Sequence, residues 1–163
     1  MSTAQHLPPR SAEEQAKLDA ALTEVFEQRI TFNQVLGLKV ESLKGGDVRM
    51  GFDMRPELVG HFASGRLHGG VTSASLDAVC GLAVMVGIAE AHPHDNAMQV
   101  LQRFSRVGTI DLRIDYLRQG IGRRFTGIAA LTRLGGRVAS AQARLVNEEG
   151  TLVATASGAY IVS

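Results

Sequence analysis

The stretch GGVTSASLDAVCGLAVMVGIAEA, Gly69 to Ala91, decides the fold. Its only charged residues are Asp77 and Glu90, and Pro93 marks its end. As a helix at about 1.5 Å per residue, Gly70 to Ala91 spans about 33 Å, the thickness of a membrane core. A membrane span is nevertheless rejected. Asp77 near the bilayer centre would cost about 2.5–3.5 kcal/mol. No aromatic or Lys/Arg anchors flank the stretch closely on both sides. Gly81, Gly87 and the many Ala and Ser residues suit close packing inside protein. A helix that is apolar all round is a core helix, and something must wrap it.

The wrapping material lies on both sides. Downstream, Thr109 to Leu117 alternates, with Ile110, Leu112, Ile114 and Tyr116 facing one way and Asp111, Arg113 and Asp115 the other. Three more strand-like runs follow at Phe125 to Leu134, Val138 to Val146 and Leu152 to Val162. Gly120-Ile121-Gly122, Gly135-Gly136 and Glu148-Glu149-Gly150 separate them. Connections this short join antiparallel neighbours, not βαβ crossovers. Upstream, Leu38 to Leu43 and Val48 to Met54 form a hairpin around Lys44-Gly45-Gly46-Asp47. Glu57 to Leu67 is predicted as a loop, and His92 to Val107 as a short helix or a flap.

At the N-terminus, residues 1–10 read as a loose tail. Ser11 to Glu14 fits a capping box, with Ser11 as N-cap and Glu14 reaching back. Leu18, Leu22, Val25 and Phe26 carry a helix to about Arg29. Thr31 caps a short further turn that Gly37 stops. The element order is helix, two strands, long buried helix, four strands: an α+β architecture with one curved antiparallel sheet around one helix. Residues 1–31 are read as a tail and helix, and 32–163 as a single domain.

The chain has 163 residues, of which 45% are hydrophobic, enough for a sizeable core. Charged residues make up 20%, which excludes a disordered chain. Lys plus Arg is 17 and Asp plus Glu is 16, a net charge of +1, so no charge excess argues for nucleic acid. The lone Cys80 rules out an internal disulfide framework and a Cys-based zinc site. Residues 1–16 are polar and do not read as a secretory signal, so a cytoplasmic location is expected.

Helix N-termini present unpaired N–H groups and the positive end of a dipole. Here that end is His68-Gly69-Gly70, whose glycines let a substrate oxygen approach the backbone. Alternatively, the glycines serve a tight loop-to-helix turn. Asp77 lies seven residues after Gly70, about 10 Å along the axis on nearly the same face. A carboxylate two turns inside an apolar helix is either paired, to Ser73 or a strand backbone, or open to a cavity. His68 is placed to orient the loop or a ligand, and His61 is close by in sequence. His92, His94 and Asp95 lack a second ligand cluster, so no metal is expected. Cys80 reads as a small buried hydrophobe. Neither a Gly-x-Ser-x-Gly elbow nor a phosphate loop occurs. Arg118, Arg123, Arg124, Arg133 and Arg137 gather at hairpin ends, suited to phosphate or simply solvated.

These residues resemble the hotdog-fold acyl-CoA thioesterases of the PaaI type, including the YigI-like branch. The likeness rests on Leu67-His68-Gly69-Gly70, Ser75-Leu76-Asp77 and Gly81, on the strand from Thr109 to Arg118, on Arg133 to Val138 and on Gly150 to Thr155. It runs from about Phe32 to Val162. The resemblance implies a helix wrapped by an antiparallel sheet, dimers with one continuous sheet that often pair into tetramers, and active sites shared between subunits. It implies Asp77 as general base or nucleophile and Gly69 or Gly70 as N–H donor to the thioester oxygen. It further implies a Thr109 hydroxyl that helps hold the attacking water. Leu117, Arg118 and the Arg133–Gly135 turn would meet coenzyme A. Many relatives carry Asn in the loop before His-Gly-Gly; here Gly60 to Gly65 has none, and His61 or Ser64 is the expected replacement. No cofactor is implied.

The expectation is a homodimeric or dimer-of-dimers acyl-CoA thioesterase. A non-catalytic acyl-CoA binding module on the same fold is the alternative. A hydratase is disfavoured, because its Asp and His one turn apart are not found.

Overall fold

The structure, a computed structural model, describes residues 8–163. Residues 1–7 of the expected tail lie outside the described residues. Helix α1 runs Ala12–Glu24 and is capped by Ser11, whose Oγ accepts from Glu14 N at 3.2 Å. The box is only half formed. Glu14 turns its carboxylate to Lys17 at 3.0 Å and to the Ala97 N–H at 3.4 Å, which ties α1 to a later helix. A π-helical turn, Val25–Arg29, continues α1, and α2 follows over Thr31–Leu36. Ile30, not Thr31, holds the N-cap position of α2, with no side-chain cap. Gly37 ends it at φ 72°, a conformation that favours glycine.

The hairpin is formed by β1 (Lys39–Lys44) and β2 (Asp47–Asp53). The expected loop instead holds a 3₁₀ turn at Pro56–Leu58 and a two-stranded hairpin, β3 (Val59–His61) with β4 (Arg66–Leu67). Helix α3 then spans Gly69–Ala91, the full stretch singled out by its apolar sequence. Within 92–107 lies α4, Ala97–Phe104, opened by a complete Asn96/Gln99 capping box. The last four strands are β5 (Gly108–Tyr116), β6 (Arg124–Leu134), β7 (Val138–Asn147) and β8 (Leu152–Ile161).

Six strands form one antiparallel sheet in the order β1-β2-β6-β7-β8-β5. Helix α3 lies across the inner face, chiefly over β6, β7 and β8. Leu76, Val79, Leu82 and Met85 of α3 pack on Phe125, Ala141, Leu145 and Ala154 in one core cluster. Burying a large aliphatic side chain is worth roughly 1.5–3 kcal/mol, so this interface dominates the stability of the fold. Small residues draw the layers together: a Cβ on Gly87 would come within 2.3 Å of Leu131. Leu18, Leu22 and Phe26 belong to the same cluster. Among the described residues the one helix long and apolar enough to cross a membrane is α3, and it is a buried core helix.

The far end of α3 is held by Arg10. Its guanidinium donates to the carbonyls of Ala89 (2.8 Å), His92 (3.3 Å) and Asp95 (2.5 Å). These contacts satisfy carbonyls at and just beyond the helix end and set a positive charge at the negative end of its dipole. The end of the expected loose tail is therefore anchored.

Strand β5 forms one edge of the sheet, and among the described residues nothing pairs with its outer side. Its alternation is broken near the start. The register with β8 shifts between Thr109 and Asp111, which leaves Ile110 as an extra residue, 56% exposed. The bulge lets Thr109 share the inner face with Leu112, Ile114 and Tyr116.

Candidate active site

Asp77 faces the sheet from the third turn of α3, and two hydroxyls meet it there. Thr109 Oγ1 donates to Oδ1 at 3.0 Å and lies 3.4 Å from Oδ2. Tyr160 OH donates to Oδ1 at 2.9 Å and lies 3.2 Å from the Asp77 carbonyl oxygen. Oδ1 thus accepts two short bonds, and Oδ2 is the less engaged oxygen. The expected pairing with Ser73 does not form, because Ser73 donates to the Gly70 carbonyl instead. Thr109 and Tyr160 are direct partners across β5 and β8, so sheet register brings both hydroxyls to one carboxylate. Gly158 makes room: a Cβ there would lie 2.8 Å from the Tyr160 ring.

Burial, with the neighbouring Cys80 and Asp77 adding to it, holds the Tyr160 phenol well above its ordinary range. It therefore stays a protonated donor. Burial likewise pushes the Cys80 thiol up to about 12, which leaves no thiolate to act as a nucleophile.

Asp77 opens onto an apolar cleft of about 250 Å³. Phe26, Ile30 and Phe32 from the N-terminal segment and Phe104 and Val107 from α4 and its exit form the walls. Ala74, Ala78 and Gly81 form the floor along α3.

A second groove lies at the N-terminus of α3. His68 is the N-cap residue, and its Nδ1 accepts from Gly70 N at 2.9 Å. That bond occupies one of the two candidate N–H donors. Gly69 N–H donates no hydrogen bond among the described residues. Tyr116 OH donates to the Gly69 carbonyl at 2.9 Å. His61, Leu117 and Arg118 line the same groove. Arg118 donates to the Leu152 carbonyl at 3.1 Å. His61 Nδ1 lies 3.0 Å from Ser64 Oγ at the tip of the β3–β4 hairpin, where Phe62 is 97% exposed.

The predicted residues therefore fall into two separate groups on one chain. Asp77 and Thr109 stand at the start of β5; Gly69, His68, His61, Ser64, Leu117 and Arg118 gather at its end. Eight residues of helix, about 12 Å, separate Asp77 from Gly69. The Arg133–Gly135 turn lies at the Asp77 end, since Val138 beside it pairs with Ile161 and Ile161 with Gly108. Arg133 pairs with Ser140, is exposed, and does not meet Arg118 within the chain. Among the described residues no group of three or more His, Cys, Asp or Glu side chains could hold a metal. Tyr160, which sequence reasoning missed, is the second holder of Asp77. Nothing in its local sequence marks it, because its relation to Asp77 arises only once β8 is placed against β5.

A long helix cradled by a curved antiparallel sheet, with a carboxylate and a glycine-rich helix start, defines a hotdog-fold protein. Residues 64–154 match the model of the thioesterase superfamily. The chain is 39% identical over 152 residues to the medium/long-chain acyl-CoA thioesterase YigI of Salmonella typhimurium, covering 93% of this chain and 96% of that protein. It is similar in structure to a Shewanella oneidensis protein related to the thioesterase superfamily, with 36% identity and a TM-score of 0.85 over 94% of this chain and all of that one. A mutant of the phenylacetic acid degradation protein PaaI from Thermus thermophilus superposes with a TM-score of 0.60 at 25% identity, over 82% of this chain and 99% of that one. The chain belongs to the thioesterase superfamily, the class that its His-Gly-Gly and Asp77 pattern resembles.

Proposed function

We propose that this protein hydrolyses acyl-CoA thioesters to the free acid and CoA, with Asp77 as the acting carboxylate. The observation that carries the reading is a carboxylate held by two hydroxyls at the mouth of an apolar cleft. In this reading Asp77 Oδ2 takes the proton of a water that adds to the thioester carbonyl, or attacks that carbon itself. The C–S bond then breaks, and the departing CoA thiolate takes up the proton drawn from the water; on the second route water hydrolyses the acyl–Asp77 anhydride, which frees the acid, restores the carboxylate and supplies that proton. Thr109 spends its own proton on Asp77, but its oxygen can still accept from the water. The oxyanion is met by an N–H at the start of α3. Gly69 is the better candidate, because the Gly70 N–H is already bonded to His68. No metal or redox group is needed for these steps. The likeness to YigI supports medium to long acyl chains.

One chain holds its carboxylate too far from its own Gly69 to serve one carbonyl. A dimer formed through β5 resolves this. Antiparallel pairing of two β5 edges sets the Thr109 end of each against the Tyr116 end of the other. Asp77 of one protomer then faces Gly69 and Arg118 of its partner. The charges of β5 narrow the register to axes that oppose Asp to Arg. A two-fold axis at Arg113 would oppose Asp111 to Asp115 and Arg113 to itself. An axis at Ile114 opposes Arg113 to Asp115 twice and Leu112 to Tyr116 on the inner face. The Arg133–Gly135 turn and the partner's Arg118 would then flank one site, where bidentate contacts suit CoA phosphates. Pairing of such dimers into a tetramer is proposed on the family resemblance alone.

The test is thiol release from short, medium, long and aromatic acyl-CoA esters, with wild type and Asp77→Ala side by side. Release that depends on Asp77 is expected. Unchanged hydrolysis by the variant would remove Asp77 from the chemistry. Tight ester binding without release would make the protein a binding module.

A further inference from the structure

We infer that the N-terminal segment and α4 together form the acyl-chain pocket and set which chain lengths are accepted. This inference rests on the thioesterase reading above. Its observations are of three kinds.

The first is composition. The cleft beside Asp77 is walled by Phe26, Ile30, Phe32 and Phe104, with Ala78 and Gly81 in its floor. A pantetheine arm carries amides that need hydrogen-bond partners. Asn33, with its Nδ2 committed elsewhere, is the one amide side chain among the lining residues. An alkyl chain asks only for apolar contact.

The second is the way the wall is held. The end of α1 widens into the π turn Val25–Arg29, where Ile30 N donates to Val25 O at 3.0 Å. Asn33, only 4% exposed, sends its Nδ2 to the Phe26 carbonyl at 2.9 Å. It thereby clamps the turn and fixes the backbone that carries Phe26 and Ile30. Such π turns recur at functional sites, where they re-aim side chains. Phe26 in turn meets Phe104 of α4 edge to face, with ring centroids 5.7 Å apart at 62°. The two segments thus lock into a single roof.

The third is the floor. Ala74, Ala78 and Gly81 recur at helical spacing on the face that carries Asp77. A Cβ on Gly81 would meet nothing nearer than Tyr160 Cε1 at 4.0 Å, so the space above it is open.

The experiment compares two variants of the full chain. Gly81→Leu fills the floor, and replacing an interior helical glycine favours the helix. Phe104→Ala removes part of the roof. For each protein, kcat/KM is measured for butyryl-, octanoyl-, dodecanoyl- and hexadecanoyl-CoA, and Kd for the same esters by calorimetry. Gly81→Leu is expected to lower the dodecanoyl-to-butyryl ratio by about tenfold or more, since one methylene in an apolar pocket is worth about 10–200-fold. Phe104→Ala is expected to raise the hexadecanoyl-to-octanoyl ratio. Equal changes at every chain length would overturn the inference and assign the cleft to the pantetheine arm. Unmoved ratios in two folded variants would overturn it as well. A wild type that binds but does not hydrolyse would defeat the thioesterase reading alone, because the Kd series still reports length selectivity.

Discussion

Tyr160→Phe and Thr109→Val test whether the two hydroxyls hold the working carboxylate or merely stabilise the fold. Each removes one donor to Asp77 Oδ1, at 2.9 and 3.0 Å respectively, and leaves a side chain of nearly the same shape. A hydrogen bond to a charged group is worth about 1.5–3 kcal/mol. At about 1.36 kcal/mol per tenfold in rate, each bond bounds a loss of roughly 10- to 150-fold. Because the other hydroxyl remains, the lower figure is expected for each single variant. The double variant leaves Oδ1 without a side-chain donor among the described residues, and its loss should exceed the product of the single losses. The assay is steady-state thiol release with the substrate that wild type turns over best, separated into kcat and KM. The fall is expected in kcat with KM little moved, since the hydroxyls aim a reacting group and do not grip the acyl chain. Thermal unfolding of each variant accompanies it. A lowered Tm with kcat intact would refute the reasoning and make the pair a structural bridge between α3 and the sheet.

Three further outcomes are expected. Arg113→Asp should weaken dimers in sedimentation analysis, and adding Asp115→Arg should restore them; no rescue would place the axis away from Ile114. Arg10→Ala should lower stability in urea unfolding by about 1.5–3 kcal/mol, because three carbonyls at and beyond the end of α3 lose a charged donor; an unchanged midpoint would show that water replaces it. Glu148 is held down to about 2, first by the backbone N–H of Arg123 and also by that of Arg124. Its folded pKa lies below its unfolded value of 4.5, so its contribution is present above that pH and lost as pH falls towards about 2. Glu148→Gln should flatten that part of the acid-unfolding curve, and an identical curve would show that other carboxylates carry it.

How much of this was legible in the residues depends on the range of the interaction concerned. Helix α3 was readable to its ends, because composition, length and the His68 and Pro93 boundaries all agree within one continuous stretch. The strands were readable within a residue or two, since period-two alternation and turn glycines are local signals. The β3–β4 hairpin was missed because its strands have three and two residues, too few to show a period. The capping box failed at Glu14 because tertiary partners, Lys17 and the Ala97 N–H, outbid a local bond. Asp77 was visible as an anomaly, a charge inside an apolar helix. Tyr160 was not, since an inward tyrosine on an alternating strand looks like core. Its partnership with Thr109 follows from the β5–β8 register, and a bulge that no local pattern announced helps set that register. The cleft wall is the extreme case. It joins Phe26 to Phe104 across a span that contains most of the sequence's first two thirds, and only the packed fold brings them together. Local chemistry therefore marked the carboxylate proposed to react, while the residues proposed to aim it and to select its substrate are set by contacts distant in sequence. On the proposal above, that division implies that substrate preference can change by substitution between Phe26 and Phe32 and in α4 while the His68-Gly69-Gly70 and Asp77 pattern stays constant.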